Sequence, residues 1–178
     1  MAIISPVRRI GAMGGLILLS CSLALGREIW LDVPFVRQSH EGCGSACIAM
    51  VLEYWNTSTR RPSSRREEEL SIYRKLYSSA ARGIRAESME RYLEEQGFRV
   101  FVFSGSWQDL QEHLSKGRPL IVCLKTPVPH YTVVAGIDTE QGVVLVNDPA
   151  RRKLLKIKRA TFERDWHGSG DWTLLALP

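Results

Sequence analysis

Between residues 43 and 55 the apolar side chains Cys47, Met50, Val51 and Tyr54 recur at steps of three and four, the period of one buried stripe on an α-helix. Met50 and Tyr54 are therefore read as core residues and not as ligands of a cofactor. Upstream, Ile29 to Val36 alternates apolar and polar positions and closes on Val33, Pro34 and Phe35, which predicts a short strand leading into a loop from Arg37 to Gly42. The polar stretch Asn56 to Ser64, with Pro62, predicts a surface loop, and further helices are expected around Arg65 to Ser79 and from Ala86 to Gln96. In the second of these Met89 and Leu93 face inward, and Gly97 stands where a left-handed C-cap belongs.

Phe98 to Phe103 alternates as a strand, and Ser106 with Asp109 has the spacing of a capping box that opens a helix ended by Gly117. After that the period shortens to two. Strands are expected at Pro119 to Leu124, Tyr131 to Ile137, Val143 to Asn147, Lys153 to Lys158 and Trp172 to Leu177. Helices come first and strands later, so the pattern predicts an α+β fold with N-terminal helices packed on a C-terminal antiparallel β-sheet. The chain contains no internal repeat and no low-complexity tract.

Length and composition sharpen this picture. At 178 residues and 44% apolar content the chain holds one domain with a real core, and is short for two. Residues 1–26 read as an export segment: Arg8 and Arg9 precede an uncharged run, Ile10 to Leu25, that is short and glycine-rich for a spanning helix. Leu18, Leu19, Ser20 and Cys21 resemble a bacterial lipobox ending on a lipidated cysteine, whereas Ala24, Leu25 and Gly26 offer an ordinary cleavage site. An uncleaved anchor is the third reading. Each puts residues 27–178, read as a single domain, outside the cytoplasm: exported, either periplasmic or attached to a membrane through the N-terminal segment or lipidated Cys21. That domain carries 22 basic and 19 acidic residues, and its basic clusters at Arg60 to Arg66 and Arg151 to Arg159 are interrupted by acids or apolar residues, so no nucleic-acid surface is expected.

In an oxidising compartment Cys43, Cys47 and Cys123 make an odd set, so at least one thiol stays unpaired. Cys43 and Cys47, four apart on one helix, have poor geometry for a disulfide. Cys43 lies between Gly42 and Gly44 at the helix start, where unsatisfied amides and the positive dipole end favour a thiolate and the glycines let a substrate backbone approach. Cys47 packs in the core. His130 follows Pro127 and Pro129 at a strand entrance, and Asp148 ends the next strand before Pro149. If those strands pair as a hairpin, His130 and Asp148 become neighbours, and the carboxylate fixes the tautomer while the other ring nitrogen faces Cys43. Taken singly, His130 is an ordinary strand-end histidine and Asp148 a turn former; the three together compose a nucleophile, a base and an orienting acid.

The residues Gln38, Cys43, Ala46 and Met50, with Tyr54-Trp55 after them, match the spacing of the cysteine motif of the double-glycine peptidase family, the papain-like domain found at the front of bacteriocin and peptide-export transporters. His130, Tyr131, Val133, Asp148 and Pro149 match its histidine motif. The chain resembles this family from about Leu31 onward, with a slightly longer hairpin between the two strands. The resemblance implies a papain-like cysteine peptidase fold, a Cys43, His130 and Asp148 triad, and Gln38 as a side-chain donor to the oxyanion beside the Cys43 backbone N–H. No transporter segment or ATP-binding motif follows, so the stand-alone exported branch is the nearer comparison. Phe162, Trp166 and Trp172 are similar to that branch's C-terminal aromatics and are expected mainly in the core.

The expected activity is hydrolysis of a peptide or protein substrate, with no cofactor and no metal. A zinc site of Cys43, Cys47 and His130 has weak spacing support, lacking a second cysteine pair. Two further readings keep the fold: a non-catalytic peptide-binding or assembly module, and acyl transfer or amidase chemistry on a non-peptide substrate. His40, His113 and His167 are expected to be solvated, with His40 near enough to Cys43 to line the site.

Overall fold

The computed structural model describes residues 28–56 and 65–178. The export segment, with Arg8, Arg9 and Cys21, and most of the loop around Pro62 lie outside the described residues. The elements run β1 (Glu28–Trp30), α1 (Cys43–Trp55), α2 (Arg65–Leu76), α3 (Ala86–Glu95), β2 (Arg99–Ser104), α4 (Trp107–Ser115), β3 (Leu120–Lys125), β4 (Pro129–Asp138), β5 (Val143–Asp148), β6 (Arg152–Lys158), α5 (Arg159–His167) and β7 (Trp172–Leu177).

All the strands belong to one antiparallel sheet of order β2-β7-β3-β4-β5-β6, and β1 pairs with β4 at Gly136 to Asp138, beyond the stretch that β3 occupies. Alternate residues send side chains to opposite faces. Ile121, Val133, Ala135, Leu174 and Ala176 meet α1, α2 and α3 in one core. Val122, the next residue along β3, joins Leu124, Val134, Val146 and Leu175 against α4 and α5 in a second core on the other face. Both faces of the central strands are thus covered, which is why β3 and β5 read as unbroken apolar runs and not as an alternation.

The fold is α+β, but the helices do not all lie on one side: α4 and α5 cover the face opposite α1. The sequence pattern assigns no element to residues 159–171, because α5 buries only Phe162 and Trp166, spaced by a single turn, among charged neighbours. Both aromatics are core residues, and their rings lie 5.4 Å apart. Two strand and helix limits also differ. The strand expected over Ile29 to Val36 stops at Trp30, since Val33 N donates to Leu31 O at 2.8 Å in a tight local turn and Pro34 has no N–H to offer a ladder. Helix α2 ends at Leu76, where Ser78 and Gly83 pair across a turn instead.

The Ser106 and Asp109 capping box forms as the spacing predicts. Gly97 and Gly117 adopt the positive φ that a left-handed helix end requires.

Gly136 sits at the β4 bulge where β1 crosses closest. A Cβ there would lie 2.5 Å from Ile29 O and 2.9 Å from Trp30 Cβ. Gly136→Ala is expected to destabilise the protein by about 1–3 kcal/mol in urea unfolding, the range for forcing extra atoms into a packed interior; a change within about 0.5 kcal/mol, as at an ordinary surface position, would refute this packing.

Candidate active site

The first residue of α1 and the second residue of β4 meet at one end of the sheet. The spacing of apolar residues in α1 drives Cys47, Met50 and Val51 into the helix-side core, leaving Cys43 half-buried at the helix terminus. Gly42, at the N-cap position, contributes no side-chain cap. His130 is paired with Leu124 of β3, so its place is set from within the sheet and not by a mobile loop. Across the β4 and β5 hairpin Val133 lies opposite Asn147, which carries Asp148 alongside the start of β4.

His130 Nε2 lies 2.9 Å from Asp148 Oδ1, and the two side chains are only 20% and 9% exposed. With Nε2 committed to the carboxylate, Nδ1 is the nitrogen left free for the neighbouring Cys43. Burial disfavours the imidazolium, but the hydrogen bond to Asp148 and the interaction with Cys43 outweigh it and raise His130 from 6.5 to about 9. The Asp148 carboxyl is held below its usual range despite burial, by the His130 bond and charge, the Ala150 N–H and the charge of Arg151. Ala150 N donates to Asp148 Oδ1 at 3.0 Å, so the Asp-Pro turn itself orients the acid.

The loop before Cys43 is stitched to this sheet end. Asn147 Nδ2 donates to Val33 O at 3.0 Å, Gln38 N to Pro149 O at 3.1 Å, and Arg37 Nη2 to Arg151 O at 3.2 Å. Asn147 Oδ1 also accepts from Leu154 N at 2.9 Å, filling the β6 bulge where Leu154 is held at φ +48. A bulky residue in that left-handed region costs of order 1–3 kcal/mol, so the bulge persists only because its surroundings demand it.

Gln38 is half-buried beside this stitching. Its Nε2 donates one proton to His40 O at 2.6 Å, the other has no acceptor among the described residues, and Oε1 is buried without a partner. His40 takes a positive φ of 43°, which turns its carbonyl toward that amide. The structure thus brings Cys43, His130 and Asp148 together, with Gln38 on the adjoining loop. Cys47 and Cys123 are free thiols, and burial pushes both upward, Cys47 most. His113 packs beside Phe103, its imidazole lowered by burial, and His167 pairs with Asp171; neither belongs to the site.

One residue of this region escapes the sequence pattern. Glu69, third in a run of three glutamates, is fully buried and reaches Ser39 and Ser45 on either side of Cys43. The signal is its spacing: it stands three and seven residues before Ile72 and Leu76, on the inward stripe of α2.

An α+β fold with helices on an antiparallel sheet, and a cysteine at a helix start near a histidine on a strand, is the architecture of the papain-like cysteine peptidases. A model of the Peptidase_C39 like family matches residues 30–173, and the chain belongs to that family. It is 27% identical over 137 residues to the Lactococcin-G-processing and transport ATP-binding protein LagD of Lactococcus lactis subsp. lactis; the match takes in 74% of this chain but only 17% of that relative's length. Among solved structures it is similar to a C39-like peptidase from Bacillus anthracis, with a TM-score of 0.65, 15% identity, and 85% of this chain and 98% of that one covered. It is also similar to the peptidase domain of Streptococcus ComA, a bi-functional ABC transporter involved in quorum sensing, with a TM-score of 0.64, 19% identity, and 82% and 98% covered. These two likenesses carry the fold.

The raised imidazole fixes a pH dependence. Because folding raises His130, its contribution to stability is complete below about pH 6.5 and is lost as pH rises through about 9; the lowered Asp148 contributes above the ordinary carboxylate range and is lost as pH falls through it. An NMR titration of the His130 ring should show a midpoint near 9 that drops toward 6.5 in Asp148→Asn. A wild-type midpoint already near 6.5 would contradict the described network.

Proposed function

We propose that the protein is an exported peptidase in which Cys43 attacks a peptide carbonyl as the thiolate, held ready by protonated His130. The single observation that carries the reading is the pairing of His130 Nε2 with Asp148 Oδ1 at 2.9 Å beside Cys43 at the start of α1. Attack forms the Sγ–C bond and moves the carbonyl π electrons onto oxygen. Gln38 Nε2 and the Cys43 backbone N–H then stabilise that oxyanion, an interaction worth about two to three orders of magnitude in rate per donor. On collapse, His130 gives its proton to the departing amine; in the second half it takes a proton from the water that attacks the thioester, and the sulfur leaves as the thiolate, restoring the starting pair with protonated His130.

Asp148 keeps the imidazole in the ring orientation that presents Nδ1 to sulfur. Gln38 in this role keeps its contact with His40 O and turns its second Nε2 proton to the oxyanion. A peptide substrate is supported by family membership and by the Lactococcus relative, a lactococcin-G-processing protein. Export, with attachment to a membrane through residues 1–26 or a lipidated Cys21, rests on the sequence of that segment.

Cleavage of an internally quenched peptide library, and of proteins in the exported fraction, tests the reading. Cys43→Ala should abolish cleavage with the fold intact, and His130→Ala should lower it by about 10²–10⁴, the usual worth of general acid–base catalysis. Asp148→Asn should slow cleavage while Cys43 still reacts with iodoacetamide. If wild-type protein and Cys43→Ala yield the same products, or neither cleaves any peptide, the peptidase reading of this site is wrong.

A further inference from the structure

Glu69 is wholly excluded from solvent, yet no lysine, arginine or histidine lies within ion-pair distance of it among the described residues. Burying a carboxyl group without a cation is costly unless hydrogen bonds replace its water. Here every replacement comes from the segment around Cys43. Ser39 N and Ser39 Oγ donate to Glu69 Oε1 and Oε2 at 3.3 and 2.8 Å, and Ser45 Oγ lies 2.7 Å from Oε1 while also within 2.9 Å of Gly42 O. Gly42 fits between them only because it lacks a Cβ, which would fall 2.6 Å from Ser39 O and 2.9 Å from both Glu69 Oε1 and Ser45 Oγ. The outer side of the same loop is clamped as well. Tyr77 and Arg82, on the segment just after α2, hold Glu41 at 2.9 and 3.1 Å.

The carboxyl group therefore bridges the residue after Gln38 to the first turn of α1, spanning the two groups that would bind the oxyanion. An apolar residue of similar size would pack the same space at no cost in desolvation, and would leave Ser39 without its acceptor and Ser45 with Gly42 O alone. We propose that Glu69 is a positioning residue for the oxyanion site: by holding Ser39 and Ser45 on either side of Gly42 it sets the separation of the Gln38 side chain from the Cys43 backbone N–H. It touches neither substrate nor sulfur. The inference rests on the proposed roles of Gln38 and Cys43, and it adds α2 to the elements that shape the site.

The test uses the full chain and a quenched peptide that it cleaves, with Glu69→Gln, Gln38→Ala and the double variant. Glu69→Gln should lower kcat by about 10–100-fold, part of the loss expected for a missing oxyanion donor, with KM within about threefold. Alkylation of Cys43 by iodoacetamide, which builds no oxyanion, should stay within about threefold of wild type. Because both changes act on one donor pair, the double variant should lose little beyond Gln38→Ala alone. Ser45→Ala, which removes the Oγ contacts to Glu69 and to Gly42 O, leaves those of Ser39 and adds no atoms, should reproduce a smaller kcat loss and serves if Glu69→Gln does not fold. An unchanged kcat in folded Glu69→Gln or Ser45→Ala, equal losses in cleavage and alkylation, or losses that multiply fully with Gln38→Ala would each overturn the proposal. If Gln38→Ala itself leaves kcat intact, the oxyanion role of Gln38 fails instead.

Discussion

The site depends on one constraint: the N-terminus of a helix and the start of a strand, 87 positions apart in sequence numbering, must be held in register across the seam between two layers. Neither core does this by itself, because hydrophobic packing is non-directional and tolerates sliding of a helix over a sheet. Direction comes from hydrogen bonds at the seam. Asn147 reaches Val33, Pro149 receives Gln38 N, and Arg151 receives Arg37, so the segment feeding α1 is tied to the turn that carries Asp148. The same turn orients Asp148 through Ala150, and Asp148 in turn orients His130. Each link fixes the next, and the thiol stands at the end of the sequence.

Burial then sorts the ionisable groups. Imidazole burial alone would favour the neutral ring, yet the facing carboxylate and sulfur reverse the preference and keep the charge. Burial pushes the other two thiols the opposite way, toward the protonated form: Cys47 without any opposing contact, Cys123 against hydrogen bonds with Ser169 and the His130 backbone. The bulge at Leu154 shows the accompanying local cost: a bulky residue is kept at φ +48 so that Asn147 can serve both the sheet edge and the Val33 carbonyl.

Much of this was legible because it is local. The three- and four-residue stripe in α1, the capping box at Ser106 and the hairpin that brings His130 to Asp148 each depend on residues near one another in the chain. Where the outcome rests on distant partners the pattern falls short. The length of β1 is decided by a turn at Val33 and by Pro34, α5 by a face of the sheet that β3 and β5 expose, and the burial of Glu69 by two serines on another segment. Three successive glutamates read as a solvated run; only the placement of Ile72 and Leu76 on the same stripe separates the third from its neighbours. Gln38 is a similar case, since its spacing from Cys43 marks it but its contact with His40 depends on a positive φ that no pattern announces.

The most direct measurement is the second-order rate of Cys43 alkylation by iodoacetamide at about pH 6, compared between the wild-type chain and His130→Ala. A thiol beside an imidazolium should react faster than the same thiol without it, by about tenfold or more. Equal rates in the two proteins would mean that the sulfur and the imidazole do not act on each other, and that no thiolate is held ready at this site.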